Sequence, residues 1–322
     1  MSCPDIQKLP HSLHGLDGPE AFLAALATAG VNLDEVLATC IKPSSETGIL
    51  LGGSLSEGVG NASSDVDLVV LLESESELRP DCDGLIIRAG RSVELLLYRK
   101  GIEINLEVYV RKDVEELMSA FLSFAPALYN PSDVEQIPIL QPFDIRFLHR
   151  LRTGWPLKGL RRIEMWRDEF MVDLLGTYLA VFHYNGFCDL FEDAVAMARD
   201  LPEAGVFVGR RGAEQAMLSL LAKSGFTSPN TKWLLHWSAL ARRQYPATLL
   251  DAGRSLLLDA VDDDEVQNFL HRLFEFGQNV LGVLRQDPEL RRATDFLRTQ
   301  IAYVAYEPEA MASNMPIRSL GA

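Results

Sequence analysis

Leu50-Leu-Gly-Gly-Ser-Leu-Ser-Glu-Gly-Val-Gly-Asn-Ala-Ser-Ser-Asp-Val-Asp-Leu-Val-Val-Leu-Leu72 is the stretch on which the reading of this sequence turns. An apolar strand runs into Gly52-Gly53-Ser54, where missing side chains let an anion approach the backbone and Ser54 can donate a hydrogen bond. Asp65 and Asp67 then open a second apolar strand. Strand side chains alternate, so both carboxylates lie on one face while Val66 and Leu68 enter the core. Two like charges held that close require a cation. A pair of Mg2+ ions about 3.5–4 Å apart would meet that need and would clamp both ends of an in-line phosphoryl displacement.

Working outward, Thr47 to Val110 is a series of short Val/Ile/Leu-rich runs separated by Gly, Ser, Asp and charged residues, which reads as a small sheet. Ser92–Lys100 and Gly101–Val110 have almost no connector and predict an antiparallel hairpin turning at Arg99, Lys100 and Gly101. In the second of these strands Ile104, Leu106, Val108 and Val110 alternate with Glu103, Asn105, Glu107 and Tyr109. A third oxygen ligand is expected there. Glu107 is the choice, between buried-strand neighbours; Glu103 sits close to the turn and Asn105 carries no charge.

These residues resemble the nucleotidyltransferase fold of the DNA polymerase beta superfamily, in layout most like its aminoglycoside-type small-molecule members. The resemblance covers roughly residues 45–112 and rests on Gly-Ser, a glycine-containing loop, Ser-Asp-x-Asp and a later strand acid. It implies that Gly53, Ser54 and Ser64 contact the nucleotide and that Asp65 and Asp67 hold the metals. It also implies that Glu107 is the third acid, able in small-molecule relatives to act as base on the acceptor hydroxyl. Two positions depart from the pattern. Ser56-Glu57-Gly58 stands where many relatives carry a basic or aromatic residue, and Asn105 occupies the place of the acid in an Ile-Asp-Leu version of the motif.

From about Asp113 onward helical periodicity takes over, as in Trp166, Phe170, Leu174, Tyr178 and Phe182. The expected fold is therefore α+β: a nucleotidyltransferase-fold mixed sheet with flanking helices over 1–125, then an all-helical acceptor-binding or lid domain over 126–322. Charge divides unevenly along the same line, with 9 basic and 20 acidic residues before Pro126 and 21 and 25 after. Further helices are expected near 189–201, 212–224, 230–244, 247–260, 263–286 and 288–304, with Gly186 capping the one before them.

Composition narrows the function classes. The 322 residues carry a formal charge of −15, which repels polyanions, and 48% hydrophobic residues, enough for sizeable cores. No run of about 18 uncharged apolar residues and no basic, apolar leader occurs, so the expectation is a cytoplasmic protein without a membrane partner. Four scattered cysteines, Cys3, Cys40, Cys82 and Cys188, are read as reduced packing residues. Residues 146–167 hold seven bases against Glu164 alone, either a counter-charge for a triphosphate or a solvated helix face. Lys232, beside Trp233, resembles the lysines that reach phosphates from helical domains of relatives; the alternative is a surface lysine beside two core tryptophans.

The resulting expectation is a Mg2+-dependent enzyme, with two ions, that moves a nucleoside monophosphate from a nucleoside triphosphate, ATP first among them. The acceptor is the hydroxyl of a small, cationic molecule, and pyrophosphate is released. The alternatives are a protein or tRNA acceptor, or a nucleotide-binding interaction module without turnover. Oligomeric state and acceptor identity do not follow from the residues.

Overall fold

A computed structural model of the chain describes residues 17–60, 64–79, 84–127 and 138–291. Six strands form one mixed sheet: β1 (Gly48–Gly52), β2 (Val66–Leu72), β3 (Leu85–Ala89), β4 (Ser92–Arg99), β5 (Ile102–Val110) and β6 (Trp155–Lys158), in the order β3-β4-β5-β2-β1-β6. Only β2 and β5 pair in parallel; every other neighbour is antiparallel. The hairpin expected at Arg99–Gly101 joins β4 to β5. Its two turn residues, Lys100 and Gly101, both have positive φ (53° and 79°), the type I′ geometry that matches strand twist. The edge strands β3 and β6 were not expected. In β6, Pro156 is tolerated because an edge strand needs hydrogen bonds on one side only.

Twelve helices accompany the sheet among the described residues: α1 (Pro19–Thr28), α2 (Leu33–Cys40), α3 (Gly53–Ser56), α4 (Arg111–Leu122), α5 (Phe124–Ala127), α6 (Pro142–Thr153), α7 (Leu160–Glu169), α8 (Leu174–Met197), α9 (Pro202–Lys223), α10 (Leu234–Ala241), α11 (Ala247–Leu258) and α12 (Val266–Leu284). The chain is α+β, as the sequence implies. Gly30, at φ 78°, separates α1 from α2, and the Asn32 side chain caps α2 by accepting from the Asp34 N–H.

One face of the sheet is covered by α1 and α2. Ile49, Leu51, Val66, Leu68, Val70, Ile104, Leu106 and Val108 form a continuous apolar cluster with Phe22, Leu26, Val36 and Leu37. Each such side chain, fully removed from water, contributes roughly 1.5–3 kcal/mol. The opposite face receives α6 and α7. Tyr109 of β5 packs on Phe147 of α6 (ring centroids 4.2 Å apart), and Phe147 meets Trp166 and Phe170 edge-on. Gly48 keeps β1 smooth there, since a Cβ would lie 3.2 Å from Ile163.

The described residues fall into two compact units. One draws on the described residues within 17–126, 138–178 and 226–233, the other on those within 179–225 and 234–291. The sheet unit thus extends past the first 125 residues, because β6 supplies an edge, α6 and α7 supply a face, and 226–233 returns to it. In the second unit α9 packs against α10, α11 and α12.

Several helical expectations change. The row from Trp166 to Phe182 is two helices: α7 ends at Glu169, Met171 turns at φ 47°, and α8 starts at Leu174. Gly186 does not cap a helix but lies inside α8, where its bare backbone faces Gln215. The expected helix at 288–304 runs beyond Arg291, outside the described residues. Among the cysteines, Cys40 is disulfide-bonded rather than reduced, while Cys188 is free; Cys3 and Cys82 lie outside the described residues. No single helix among the described residues is long and apolar enough to cross a membrane.

Candidate active site

The two glycines after β1 set the geometry. Gly52 pairs with Asp67 across β1–β2, and Gly53 turns the chain into α3 at φ 69°. A Cβ on Gly53 would stand 2.1 Å from Asp67 Oδ2, so the loop backbone lies directly against the carboxylate. Any larger residue would be strained by the positive φ and would have to displace the Asp67 carboxylate. Ser54, the first residue after it, donates a hydrogen bond to Ser64 Oγ (3.1 Å), which ties the loop to the residue just before Asp65.

A cavity of about 120 Å3 opens at this point. Its wall includes Gly53, Ser54, Asp65 and Asp67 on the sheet side, Arg146, His149 and Arg150 from α6, and Lys232 and Trp233 from the returning segment. Of the residues expected to act, Gly53, Ser54, Asp65, Asp67 and Lys232 therefore share one cavity. Ser64 joins them through Ser54. Lys232 is exposed, with Nζ 5.3 Å from the centre of the Trp233 ring.

Glu107 has a different place. The parallel register sets Asn105 beside Asp67 and Glu107 beside Val69, one step further from the loop. The Asn105 amide donates to Asp65. Glu107 is 5% exposed and both its oxygens are engaged: Oε1 lies 3.1 Å from Arg146 Nη2, and Oε2 lies 2.9 Å from Arg150 Nη1 and accepts from Tyr109 (3.2 Å). Glu103, the remaining alternative, accepts from the Tyr98 hydroxyl at 2.9 Å on the exposed side. Arg146 reaches Glu94 as well, at 2.6 Å.

Arg150 also spans to Asp67, Nη2 to Oδ1 at 3.1 Å, so one guanidinium bridges the two acids. The Asp67 carboxyl is raised to about 6: burial lifts it most, Arg150 pulls it back, and Asp65 and Glu107 push it up again. Burial works against the charge on Arg150, but Asp67 and Glu107 more than offset it and raise its pKa. A carboxylate still displaced upward despite a bridging arginine is one whose burial costs its charge more than the arginine returns, with Asp65 and Glu107 adding to that cost. Asp65 and Asp67, side by side on the cavity wall, fit a divalent cation completed by water and phosphate oxygens. Among the described residues no three His, Cys, Asp or Glu side chains converge on one point.

Residues that sequence reasoning passed over complete the wall. Glu57 Oε1 lies 3.1 Å from His149 Nε2, and His149 Nδ1 lies 2.9 Å from Thr227 Oγ1, an almost fully buried chain joining the loop after α3, α6 and the returning segment. Of the basic stretch, Arg146 and Arg150 enter the site. Arg162 instead pairs with Glu46 and Glu73, Lys158 with Asp34, and Arg167 donates to the carbonyls of Leu151 and Gly154. Spacing offered one signal: Arg146 and Arg150 are four apart and so share one face of α6.

Comparison with known families agrees with this geometry: residues 33–124 match the nucleotidyltransferase domain family. The segment is a nucleotidyltransferase domain. The match begins at α2 and ends at α5, so it holds the Gly-Ser loop, both aspartates and β5. Among solved structures, this chain aligns with the nucleotidyltransferase-like protein from Exiguobacterium sibiricum 255-15. Identity is 11% over 81% of this chain and 79% of that one, with a TM-score of 0.41. No curated protein matches. Arg146, Arg150, His149 and Lys232, which complete the cavity of the nucleotidyltransferase domain, lie outside the matched segment.

Proposed function

We propose that this nucleotidyltransferase moves a nucleoside monophosphate, with ATP as donor, to a hydroxyl of a small cationic acceptor and releases pyrophosphate. The observation that carries this reading is the shared cavity, in which Gly53, Ser54 and the Asp65/Asp67 pair face Arg146, Arg150 and Lys232. Acids on one wall and bases on the other suit a metal-bound triphosphate, in which negative phosphates and a divalent cation alternate. Asp65 and Asp67 would hold Mg2+, which when bound supplies charge stabilisation at phosphorus and at the leaving oxygen.

The chain's own residues do the positioning. Gly53 lets phosphate oxygens approach the backbone, and the Ser54–Ser64 pair keeps the loop closed. Asn105 fixes Asp65 by donating to it. Glu107, engaged by two arginines, acts in this reading through Arg150 and not by direct contact with the acceptor. Glu57 and the aspartates would favour a cationic acceptor over an anionic one, in keeping with the net charge of −15. The helical remainder, residues from about 126 onward, would supply acceptor contacts.

Thermal stabilisation by ATP, GTP, CTP and UTP with and without Mg2+, in the wild type and in Asp65→Asn/Asp67→Asn, tests the reading. A Mg2+-dependent, nucleotide-specific shift lost in the double variant supports it and names the donor. Stabilisation that persists in the double variant places the nucleotide elsewhere and removes the proposal.

A further inference from the structure

Arg150 occupies an unusual position for a residue of a nucleotide site. Its side chain is only 11% exposed, and it bridges Asp67, a carboxylate assigned above to the metal, and Glu107, the acid behind it. The contact is prepared by the fold: a Cβ on Gly52 would lie 3.1 Å from Arg150 Cγ, so this glycine leaves the space in which the arginine stem crosses β1. The bridge is nonetheless incomplete. Nη1 is 2.9 Å from Glu107 Oε2, an ion-pair contact that leaves Nη1 buried without a well-aligned hydrogen bond. A buried guanidinium nitrogen with unspent donors at the rim of a cavity is poised for another oxygen.

We infer that Arg150 is a resident counter-ion that exchanges partners, neutralising Asp67 and Glu107 in the empty site and turning to the phosphates of the nucleotide when a divalent cation takes up Asp67. The inference rests on the metal–nucleotide reading of this cavity. A divalent cation on Asp67 would repel the guanidinium already lying against Oδ1, so the arginine competes with metal until a phosphate offers it a better acceptor. Arg146 holds Glu107 from the other side and keeps that acid paired after the exchange. Metal and nucleotide then bind as a unit, each improving the site for the other. Metal without nucleotide is disfavoured, and so the cavity does not sequester free Mg2+.

The experiment measures two affinities on the full chain at pH 8. Mn2+ binding is followed by electron paramagnetic resonance without nucleotide, and binding of an α,β-methylene ATP analogue is followed by calorimetry at saturating Mn2+. Arg150→Met is expected to bind Mn2+ alone about tenfold more tightly and the analogue about tenfold more weakly. Opposite signs from one substitution separate exchange from damage, because a distorted site loses affinity for both ligands. Loss of both, or no change in either, overturns the inference. Should Arg150→Met fail to show a cooperative melt, Arg150→Lys replaces it, keeping a charge but losing the two-pronged bridge. The same pair of opposite changes, smaller in size, is then expected, and parallel or absent changes overturn the inference. Wild-type protein that binds Mn2+ and analogue only with Asp67 intact upholds the underlying site whichever way Arg150 behaves. Wild-type protein that binds neither defeats both.

Discussion

The two faces of the sheet solve opposite problems with the same strands. Toward α1 and α2, residues such as Leu51, Leu68, Leu106 and Val108 present an unbroken apolar surface with no charged group among them. Toward α6, alternate residues of the same strands place Asp67, Asn105 and Glu107 beside Gly52, with an aromatic block around Tyr109 and Phe147 further along. The first face stabilises by removing carbon from water. The second gathers like charges in a partly dry place and offsets them with arginines, an arrangement that stores destabilisation where chemistry is done. The difference teaches that one strand can carry fold and function without compromise, provided the two are separated by its pleat.

The sharpest way to break this comparison is to neutralise one acid and look for a structural cost. Asp65→Asn is expected to lower turnover by about a thousandfold or more, in the range of lost transition-state electrostatics, while the thermal midpoint stays within a few degrees. Pyrophosphate release and a melting curve measure the two; a collapsed midpoint would make Asp65 structural. The reciprocal change is Leu106→Ala, expected to cost about 3 kcal/mol in urea unfolding. The folded fraction should keep its nucleotide affinity, and a large loss of affinity would show that the faces are not independent.

A finer test uses pH in the presence of a chelator. The Asp67 carboxyl is raised to about 6 from 3.8, so the folded chain takes up its proton more readily than the unfolded chain, and the charged form costs stability above that range. Asp67→Asn should therefore be more stable than wild type at pH 8, by about 1–2 kcal/mol. That gain should shrink as pH falls through 6 and be gone below 4. A gain that does not depend on pH would assign the effect to packing. The smallest effect expected is that of Lys232→Ala, which should raise the apparent constant for the nucleotide about fivefold, as befits an exposed charge. An unchanged constant would leave Lys232 as a surface neighbour of Trp233.

What was legible in the sequence follows the same division. Strand alternation in Glu103–Val110, the Gly-Ser loop and Asp65-Val-Asp67 are local patterns, and each predicts its own geometry because strand sidedness is fixed residue by residue. The parallel pairing that sets Asn105 rather than Glu107 beside Asp67 is a matter of register between strands far apart in the chain, and no local pattern encodes it. Neither does Arg150, whose role comes from the packing of α6 over Gly52. The edge strand β6 lay hidden in a basic stretch containing proline, and the kink at Met171 was masked because α7 and α8 happen to continue a spacing of four. The return of residues 226–233 to the sheet unit is a tertiary fact of the same kind.

His149 shows what this dispersal means for assembly. It touches Glu57, 92 positions earlier, and Thr227, 78 positions later, so the two hydrogen bonds that close one wall of the cavity span most of the sheet unit's length. Contacts so distant must repay the entropy of closing long loops before they stabilise anything. The strands and their hairpins can find one another first, and the cavity is then among the last parts of the unit to gain its final shape. A ribosome that has released the chain only as far as the end of the matched segment, residue 124, has delivered the aspartates without Arg146 and Arg150, so during synthesis the chain passes through a stage that carries the acids but not yet their counter-charge.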